Sequence, residues 1–199
     1  MSGATATRLA TALALTVALA DRSAAAIVGG MVTIDGKPAG NAVIALRSGR
    51  PLPPASQPPR AVMDQKHLAF QPAVLPVVRG TVVEFTNNDD VEHNVFSPSE
   101  IAGRFDLGTY RNGQSRDVRL DTTGEVRVLC NIHMEMEANI LVLDEPWAAV
   151  TRADGSFEIP AVPAGDYELT VWSDGWLPTK QALTVPETGS IRVDVAATR

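Results

Sequence analysis

Short runs of alternating apolar and polar residues, separated by turn-forming residues, follow one another along most of the chain and predict an all-β protein. Apolar side chains recur at every second position in several of these runs, as at Val126, Val128 and Cys130. A period of two places one set of side chains on the buried face of a strand. Asp-Gly pairs such as Asp154-Gly155 separate the runs and predict tight turns. No helical apolar period is found after residue 26, so we expect no helices there.

The strand pattern falls into three segments. Residues 27–50 predict a hairpin, and a proline-rich linker follows it. Residues 61–146 predict a larger set of strands, and residues 147–199 predict a third group. Because a hairpin is not stable alone in water, we expect residues 27–50 to pair with 147–199 and form one discontinuous β-sandwich. Residues 61–146 would then be an inserted domain. The competing layout adds the first segment to the sheet of the second.

Side-chain contacts distinguish these two layouts. In the discontinuous sandwich, we expect the side chains of Val32 and Val43 to pack against Phe157, Tyr167 or Val193 of the third segment. In the competing layout, the same two valines would pack against Val83 or Val128 of the second segment.

The beginning of the chain predicts export from the cytosol. Arg8 precedes an apolar run over residues 9–20, and Ala24 and Ala26 form a small-residue cleavage site. This order is typical of a secretory signal peptide over residues 1–26, cleaved after Ala26. The apolar run is shorter than the about 20 residues that span a bilayer as a helix. We therefore expect a periplasmic or secreted protein with no membrane span.

Four potential metal ligands form the most specific feature of the sequence. Cys130, His133 and Met136 follow one another at three-residue intervals, and His93 lies upstream at the start of a separate short strand. A thiolate and a thioether suit Cu(I), whereas imidazole binds both copper oxidation states. This set predicts a blue-copper electron-transfer site. Zinc bound by the cysteine and the two histidines is an alternative.

Cys130 is the sole cysteine of the chain. In an exported protein it is therefore a metal ligand, a buried core thiol or an intermolecular link, and His133 and Met136 close behind it favour the ligand. Met134 is a rival thioether donor. His67 lies outside the motif, in a stretch that we interpret as a strand, and we expect it to be structural or exposed.

The charge of the chain limits its partners. The formal net charge is −6 and no cluster of Lys or Arg occurs, which argues against nucleic acid and anionic membranes as partners. Acidic residues flank the candidate ligands: Asp89, Asp90, Glu92, Glu135 and Glu137. They form either a solvated loop surface or a docking rim for a basic redox partner, such as a c-type cytochrome or a periplasmic dehydrogenase.

Residues 61–146 resemble the cupredoxins, the group that includes plastocyanin and amicyanin. The resemblance rests on residues 79–87, on His93-Asn94-Val95 and on residues 130–136, whose ligand spacing is similar to that of amicyanin. It implies a Greek-key β-sandwich that binds copper.

The same resemblance implies the role of each ligand. His93, Cys130 and His133 would be the equatorial copper ligands, and Met136 the axial ligand. The backbone N–H of Asn94 would reach towards the Cys130 sulfur and tune the potential.

Residues 27–50 and 147–199 resemble the transthyretin-like fold of carboxypeptidase regulatory domains. The matching stretches are residues 31–38, 151–157 and 163–167. The combination is similar to periplasmic plastocyanin-like proteins that are often labelled "methylamine utilization protein". The implied architecture is a cupredoxin sandwich plus a second, discontinuous transthyretin-like sandwich.

The expected function follows from the ligand set. Of the three histidines, two are assigned to the metal, so no acid–base constellation remains and we expect no enzymatic activity. We expect a one-electron carrier whose copper alternates between Cu(I) and Cu(II). Copper binding for storage or delivery without redox turnover is the main alternative, and an adhesion or carbohydrate-binding sandwich with an accidental motif is a third.

Overall fold

A computed structural model describes residues 25–52, 56–100 and 103–198. The predicted signal peptide lies outside these ranges except for Ala25 and Ala26. Both alanines belong to the first strand, so that cleavage after Ala26 would remove the first two residues of that strand. The described residues contain no helix, and accordingly none that would be long and apolar enough to cross a membrane.

The described part of the chain is built of β-strands, which confirms the all-β prediction. The first segment contains β1 (Ala25–Ile34), β2 (Lys37–Pro38) and β3 (Val43–Arg47). The second contains β4 (Arg60–Gln65), β5 (Phe70–Gln71), β6 (Val74–Val78), β7 (Thr81–Asn87), β8 (His93–Ser97), β9 (Phe105–Tyr110), β10 (Ser115–Leu120), β11 (Gly124–Leu129) and β12 (Glu137–Leu143). The third contains β13 (Ala148–Val150), β14 (Ser156–Pro163), β15 (Gly165–Trp172), β16 (Thr179–Val185), β17 (Ser190–Arg192) and β18 (Val195–Ala197).

Strands of the first segment pair with strands of the third. In the first sheet, β1 pairs antiparallel with β14 and parallel with β17 and β18. In the second sheet, β3 lies between β13 and β15, and β16 pairs with β15 at the edge. A buried cluster between the two sheets unites Val32 and Ile44 with Phe157, Tyr167 and other side chains of the third segment. The division of the chain into one domain of residues 27–50 and 147–199 and a second domain of residues 61–146 stays a prediction. The pairing of the strands supports it.

The second segment forms another sandwich. Its sheets have the strand orders β6-β12-β11-β8-β9 and β10-β7-β4-β5. The core between them contains Phe85, Val126, Val128 and Ile140, together with Cys130 and Met136. Alternation along β11 turns Val126 and Val128 inward and leaves Glu125 and Arg127 exposed, as the sequence predicted.

The two sandwiches meet face to face, and one contact prediction fails at this junction. Val43 does not lie in the buried cluster that contains Phe157. It packs with Val74, Leu141 and Trp172 in a small cluster between the β13-β3-β15-β16 sheet and the β6-β12-β11-β8-β9 sheet. Successive side chains of a strand point to opposite faces. Because Ile44 faces the core of the first sandwich, Val43 must face the other sandwich.

Candidate metal centre

Three of the four predicted ligands, His93, Cys130 and His133, come together at one end of the second sandwich. Cys130 directly follows β11, His93 opens β8, and β8 pairs with β11 through Phe96 and Leu129. The loop between β11 and β12 carries His133 and closes on itself, because the Met136 backbone N–H donates to the His133 carbonyl at 3.0 Å. Two neighbouring strands and one short loop therefore fix the backbone of every predicted ligand.

The donor atoms of His93, Cys130 and His133 converge. One ligand atom from each lies within 4.8 Å of the others. The two Nδ1 atoms are 3.0 Å apart, and the imidazole rings meet edge to face. Two nitrogens about 2.0 Å from one metal ion would lie about 3 Å apart at a near-tetrahedral angle. The side chains are thus arranged as ligands of a shared ion, and their donor set fits copper.

The two methionines of the loop differ sharply in environment. Met136 is 1% exposed and belongs to the same buried cluster as Cys130. Met134 is 86% exposed, so its thioether points into solvent. This difference supports Met136 over Met134 as the axial donor.

Asp89 contacts the centre in a way that the sequence did not indicate. Its Oδ2 lies 2.9 Å from Nε2 of His93, on the ring edge opposite the one that faces His133. The same carboxylate accepts the backbone N–H groups of His67 at 2.7 Å and Leu68 at 2.8 Å. Burial alone would raise the pKa of Asp89, but these backbone donors and His93 together hold the pKa below its usual value. Asp89 thus fixes the orientation of the His93 imidazole.

This arrangement corrects two expectations. Asp89 does not belong to a solvent-facing acidic rim, because its side chain turns inward and is 12% exposed. His67 is exposed, as expected, but it does not lie in a strand. His67 and Leu68 have φ values of 57° and 56° in the turn between β4 and β5, where their N–H groups can both reach Asp89.

Ion pairs with arginine also compensate two other acidic residues of the predicted rim. Glu92 forms an ion pair with Arg111 at 2.8 Å, and Glu137 forms one with Arg127 at 2.6 Å. Arg111 is 19 residues from Glu92 in the sequence and Arg127 is 10 residues from Glu137, and each pair is brought together by neighbouring strands or loops. Asp90 and Glu135 are exposed near the centre, so fewer uncompensated carboxylates surround it than the sequence suggested.

Asn94 links the two ligand-bearing segments through its side chain. Its Oδ1 accepts the backbone N–H of Asn131 at 2.6 Å. Asn131 directly follows Cys130, so this bond ties the strand of His93 to the beginning of the ligand loop. The predicted approach of the Asn94 backbone N–H to the sulfur stays a prediction.

Replacing Asp89 by asparagine should weaken copper binding about 10–100-fold, the usual effect of losing a hydrogen-bond partner of a metal-bound histidine. The amide keeps the shape of the side chain but removes the negative charge beside the His93 N–H. Competition with a Cu(I) or Cu(II) chelator measures the affinity. The exposed neighbour Asp90 provides the matched control, Asp90→Asn, which should bind copper like the unmodified protein. Equal affinities for the two variants would contradict the role of Asp89.

Two family models match the chain. The model described as "Copper binding proteins, plastocyanin/azurin family" matches residues 60–143. The model described as "Carboxypeptidase regulatory-like domain" matches residues 136–198. The shared residues 136–143 contain β12, which pairs with β11 and β6 and therefore belongs to the copper-binding sandwich. Residues 25–47 lie outside both matches, although β1 and β3 pair with β14 and β15, which lie inside the carboxypeptidase regulatory-like match.

Several solved structures are similar to part of the chain. A purple cupredoxin from Nitrosopumilus maritimus is 20% identical over 42% of this chain and 99% of that chain, with a TM-score of 0.38. A reduced Cu(I) form of an amicyanin variant is 19% identical over 50% of this chain and 98% of its own length, with a TM-score of 0.40. A Cu-containing nitrite reductase from Thermus scotoductus SA-01 is 25% identical over 49% of this chain, with a TM-score of 0.42, and only 26% of that enzyme is covered. Among curated proteins, none matches the chain.

Proposed function

We propose that this chain, which joins a copper-binding domain of the plastocyanin/azurin family to a carboxypeptidase regulatory-like domain, is an exported one-electron carrier. The observation that carries the proposal is the convergence of His93, Cys130 and His133, with two Nδ1 atoms 3.0 Å apart. Copper held there would supply one-electron exchange between Cu(I) and Cu(II). Because strand ends and hydrogen bonds fix the ligands, they need to move little when the charge of the centre changes.

The exposure of the ligands indicates where electrons would enter and leave. His93 and Cys130 are buried, whereas His133 is half-buried. Exposed apolar side chains lie in the loops that surround the centre: Leu68, Val91, Ile132 and Met134. We call these four residues the apolar rim. A redox partner that packs against the apolar rim would exclude water there and bring its own cofactor close to the ring edge of His133.

A basic partner, such as a c-type cytochrome or a periplasmic dehydrogenase, fits the charge of this protein. The chain has a net charge of −6, and Asp90 and Glu135 are exposed beside the centre. Opposite charges accelerate encounter, and salt screens this attraction. The proposal therefore combines apolar contact at the rim with weak electrostatic steering.

The test is the rate of electron exchange with a basic c-type cytochrome, measured by stopped-flow absorption. Ile132 is 47% exposed in the rim, and Leu177 is 92% exposed in the other sandwich. Ile132→Ser should slow the second-order rate about tenfold, which corresponds to about 1.4 kcal/mol, because a central apolar contact is lost. Leu177→Ser should leave the rate unchanged, and added salt should lower it for all forms. Equal rates for both variants, or no redox cycling at all, would contradict the proposal.

Copper delivery without redox turnover is the second candidate, and the position of Met134 favours it. This thioether is 86% exposed directly beside His133, and thioethers bind Cu(I). If Met134 captures incoming copper, Met134→Leu should slow loading from a Cu(I) chelate while electron exchange of the loaded protein stays normal. A carrier without a delivery role would load at the same rate with either residue.

Met136→Leu should retain copper and raise the reduction potential. A thioether can bind either oxidation state, but an additional axial donor favours the more highly charged Cu(II). Replacing it by a hydrocarbon therefore disfavours the oxidised state. Leucine has a similar volume and should fill the same buried space with little loss of stability. Protein-film voltammetry measures the change, and Met134→Leu is the matched control with an unchanged potential. If Met134→Leu raises the potential instead, the axial residue is Met134.

A further inference from the structure

The two sandwiches border a half-open cavity that no part of the proposed electron-transfer function uses. It has a volume of about 400 Å³ and lies beside the cluster in which Val43 and Trp172 meet Leu141. Both sandwiches contribute to its walls. Val43 and Thr170 belong to the β13-β3-β15-β16 sheet of the first sandwich, and Leu141 and Leu143 belong to β12 of the second. Small-molecule sites typically measure about 300–1,000 Å³, are mostly apolar and often lie between domains. The cavity has these properties.

Hydrogen bonds join the two connecting segments beside the cavity. Glu145 is buried and its carboxylate accepts the Ser48 backbone N–H at 3.0 and 2.9 Å, the Ser48 hydroxyl at 2.9 Å and the Gly49 N–H at 2.9 Å. Ser48 and Gly49 lead into the copper-binding segment, and Glu145 leads out of it. These bonds fix the two crossings to each other at the end of the cavity that Glu145 lines.

One carboxylate is held at the wall of the cavity beside an aromatic ring. Glu125 accepts the indole N–H of Trp172 through Oε2 at 3.1 Å, and both residues line the cavity. This bond joins β11 of the copper-binding sandwich to β15 of the other one. It holds the Glu125 carboxylate in a fixed position at the wall of the cavity. The indole N–H occupies Oε2, so a cation would interact with the other oxygen, Oε1.

The charges around the cavity favour a positively charged ligand. Three acidic residues line the cavity: Glu125, Asp144 and Glu145. Among the described residues that line it, Arg47 is the one that is basic. Asp144 is compensated by Arg79 at 3.0 Å. Glu125 and Glu145 then outnumber the single guanidinium of Arg47, so the field in the cavity favours a cation over an anion. Both oxygens of Glu145 are bonded to Ser48 and Gly49, so Glu125 is the carboxylate that would contact the cation.

We propose that this cavity binds an organic cation that has an apolar body. The ammonium group would lie beside the Glu125 carboxylate, on the side away from the Trp172 N–H, and the apolar part would lie against Val43, Leu141 and Leu143. A neutral apolar molecule would gain only the apolar contacts, and an anion would meet an unfavourable charge. The inference is independent of electron transfer, since it uses none of the copper ligands.

Titration of the copper-loaded full chain with benzyltrimethylammonium tests the proposal. A quaternary ammonium ion cannot coordinate copper, so binding at the metal centre is excluded chemically, and the copper absorption should not change. Calorimetry should show saturable binding, and tryptophan fluorescence should respond with the same affinity. Benzyl alcohol, which is neutral, and benzoate, which is negative, should each bind at least about tenfold more weakly.

Glu125→Gln separates charge from structure in this experiment. The amide oxygen can still accept the Trp172 N–H, so the interface should stay intact, as an unchanged thermal unfolding curve would verify. Affinity for the cation should fall at least about tenfold, whereas Glu158→Gln, an exposed change on β14 of the first sheet, should leave it unchanged. The proposal is overturned by absence of saturable binding, by equal binding of benzyl alcohol, or by full affinity in Glu125→Gln. Equal weakening in Glu158→Gln would overturn it as well, because the effect would then follow net charge alone.

Discussion

Replacing Cys130 by serine should abolish the intense visible absorption of the copper-loaded protein. That absorption requires charge transfer from a thiolate to Cu(II), and Cys130 is the sole cysteine of the chain. The side chain is buried in the core of the copper-binding sandwich, within 4.8 Å of the ligand atoms of His93 and His133. Serine is nearly isosteric, so the fold should remain, but its hydroxyl is a poor copper ligand at neutral pH. Absorption spectra of copper-loaded samples give the result directly.

The histidines provide the matched comparison for this experiment. His93→Ala and His133→Ala should each weaken copper binding severely, because each removes one converging nitrogen. His67→Ala should keep both the colour and the affinity, since this exposed ring lies in the β4–β5 turn and contacts Asp89 only through its backbone. A Cys130→Ser protein that stayed strongly coloured with copper would disprove the site. Loss of colour in His67→Ala as well would show that the absorption depends on the fold and not on these ligands.

Gly30→Ala should lower the free energy of unfolding of the first sandwich by about 3 kcal/mol, at the upper end for overpacked positions. A Cβ at Gly30 would lie 1.9 Å from the carbonyl oxygen of Val193 and 2.6 Å from its carbonyl carbon. Backbone atoms cannot move aside there, because β1 is paired with β14 on one side and with β17 on the other. The strand itself would have to shift, and its pairing would be lost in part.

The neighbouring glycine is the control for this prediction. A Cβ at Gly29 would approach the Phe157 carbonyl oxygen only to 3.3 Å, so Gly29→Ala should cost far less. Urea unfolding followed by tryptophan fluorescence reports on the first sandwich, because Trp147 and Trp172 pack in or beside it. Copper colour reports separately on the metal centre and should persist in Gly30→Ala. Equal stability of the two variants would contradict the close approach of β1 to Val193.

Much of the local structure could be read from the chain. Alternation at Val126, Val128 and Cys130 predicted the buried face of β11, because a strand repeats its orientation every two residues. Asp35 and Gly36 both have positive φ values, of 49° and 75°, as the Asp-Gly pair indicated. The spacing of Cys130, His133 and Met136 in a short loop sufficed to predict a metal centre.

Other features required side-chain directions in three dimensions. The strand prediction for residue 67 was wrong because Asp89 binds the N–H groups of His67 and Leu68, a contact between two separate loops. The acidic rim was overestimated because Arg111 and Arg127 pair with Glu92 and Glu137 only after the strands have come together.

The sequence by itself determined the all-β class and the identity of the candidate ligands, because these depend on local periodicity and on residue chemistry. Only the tertiary structure decided that His93 lies between His133 on one ring edge and Asp89 on the other. It also decided that Val43 faces the copper-binding sandwich and that Glu125 meets Trp172 across the junction. These contacts join residues far apart in the chain, and their geometry depends on how whole sheets stack, which no local pattern encodes.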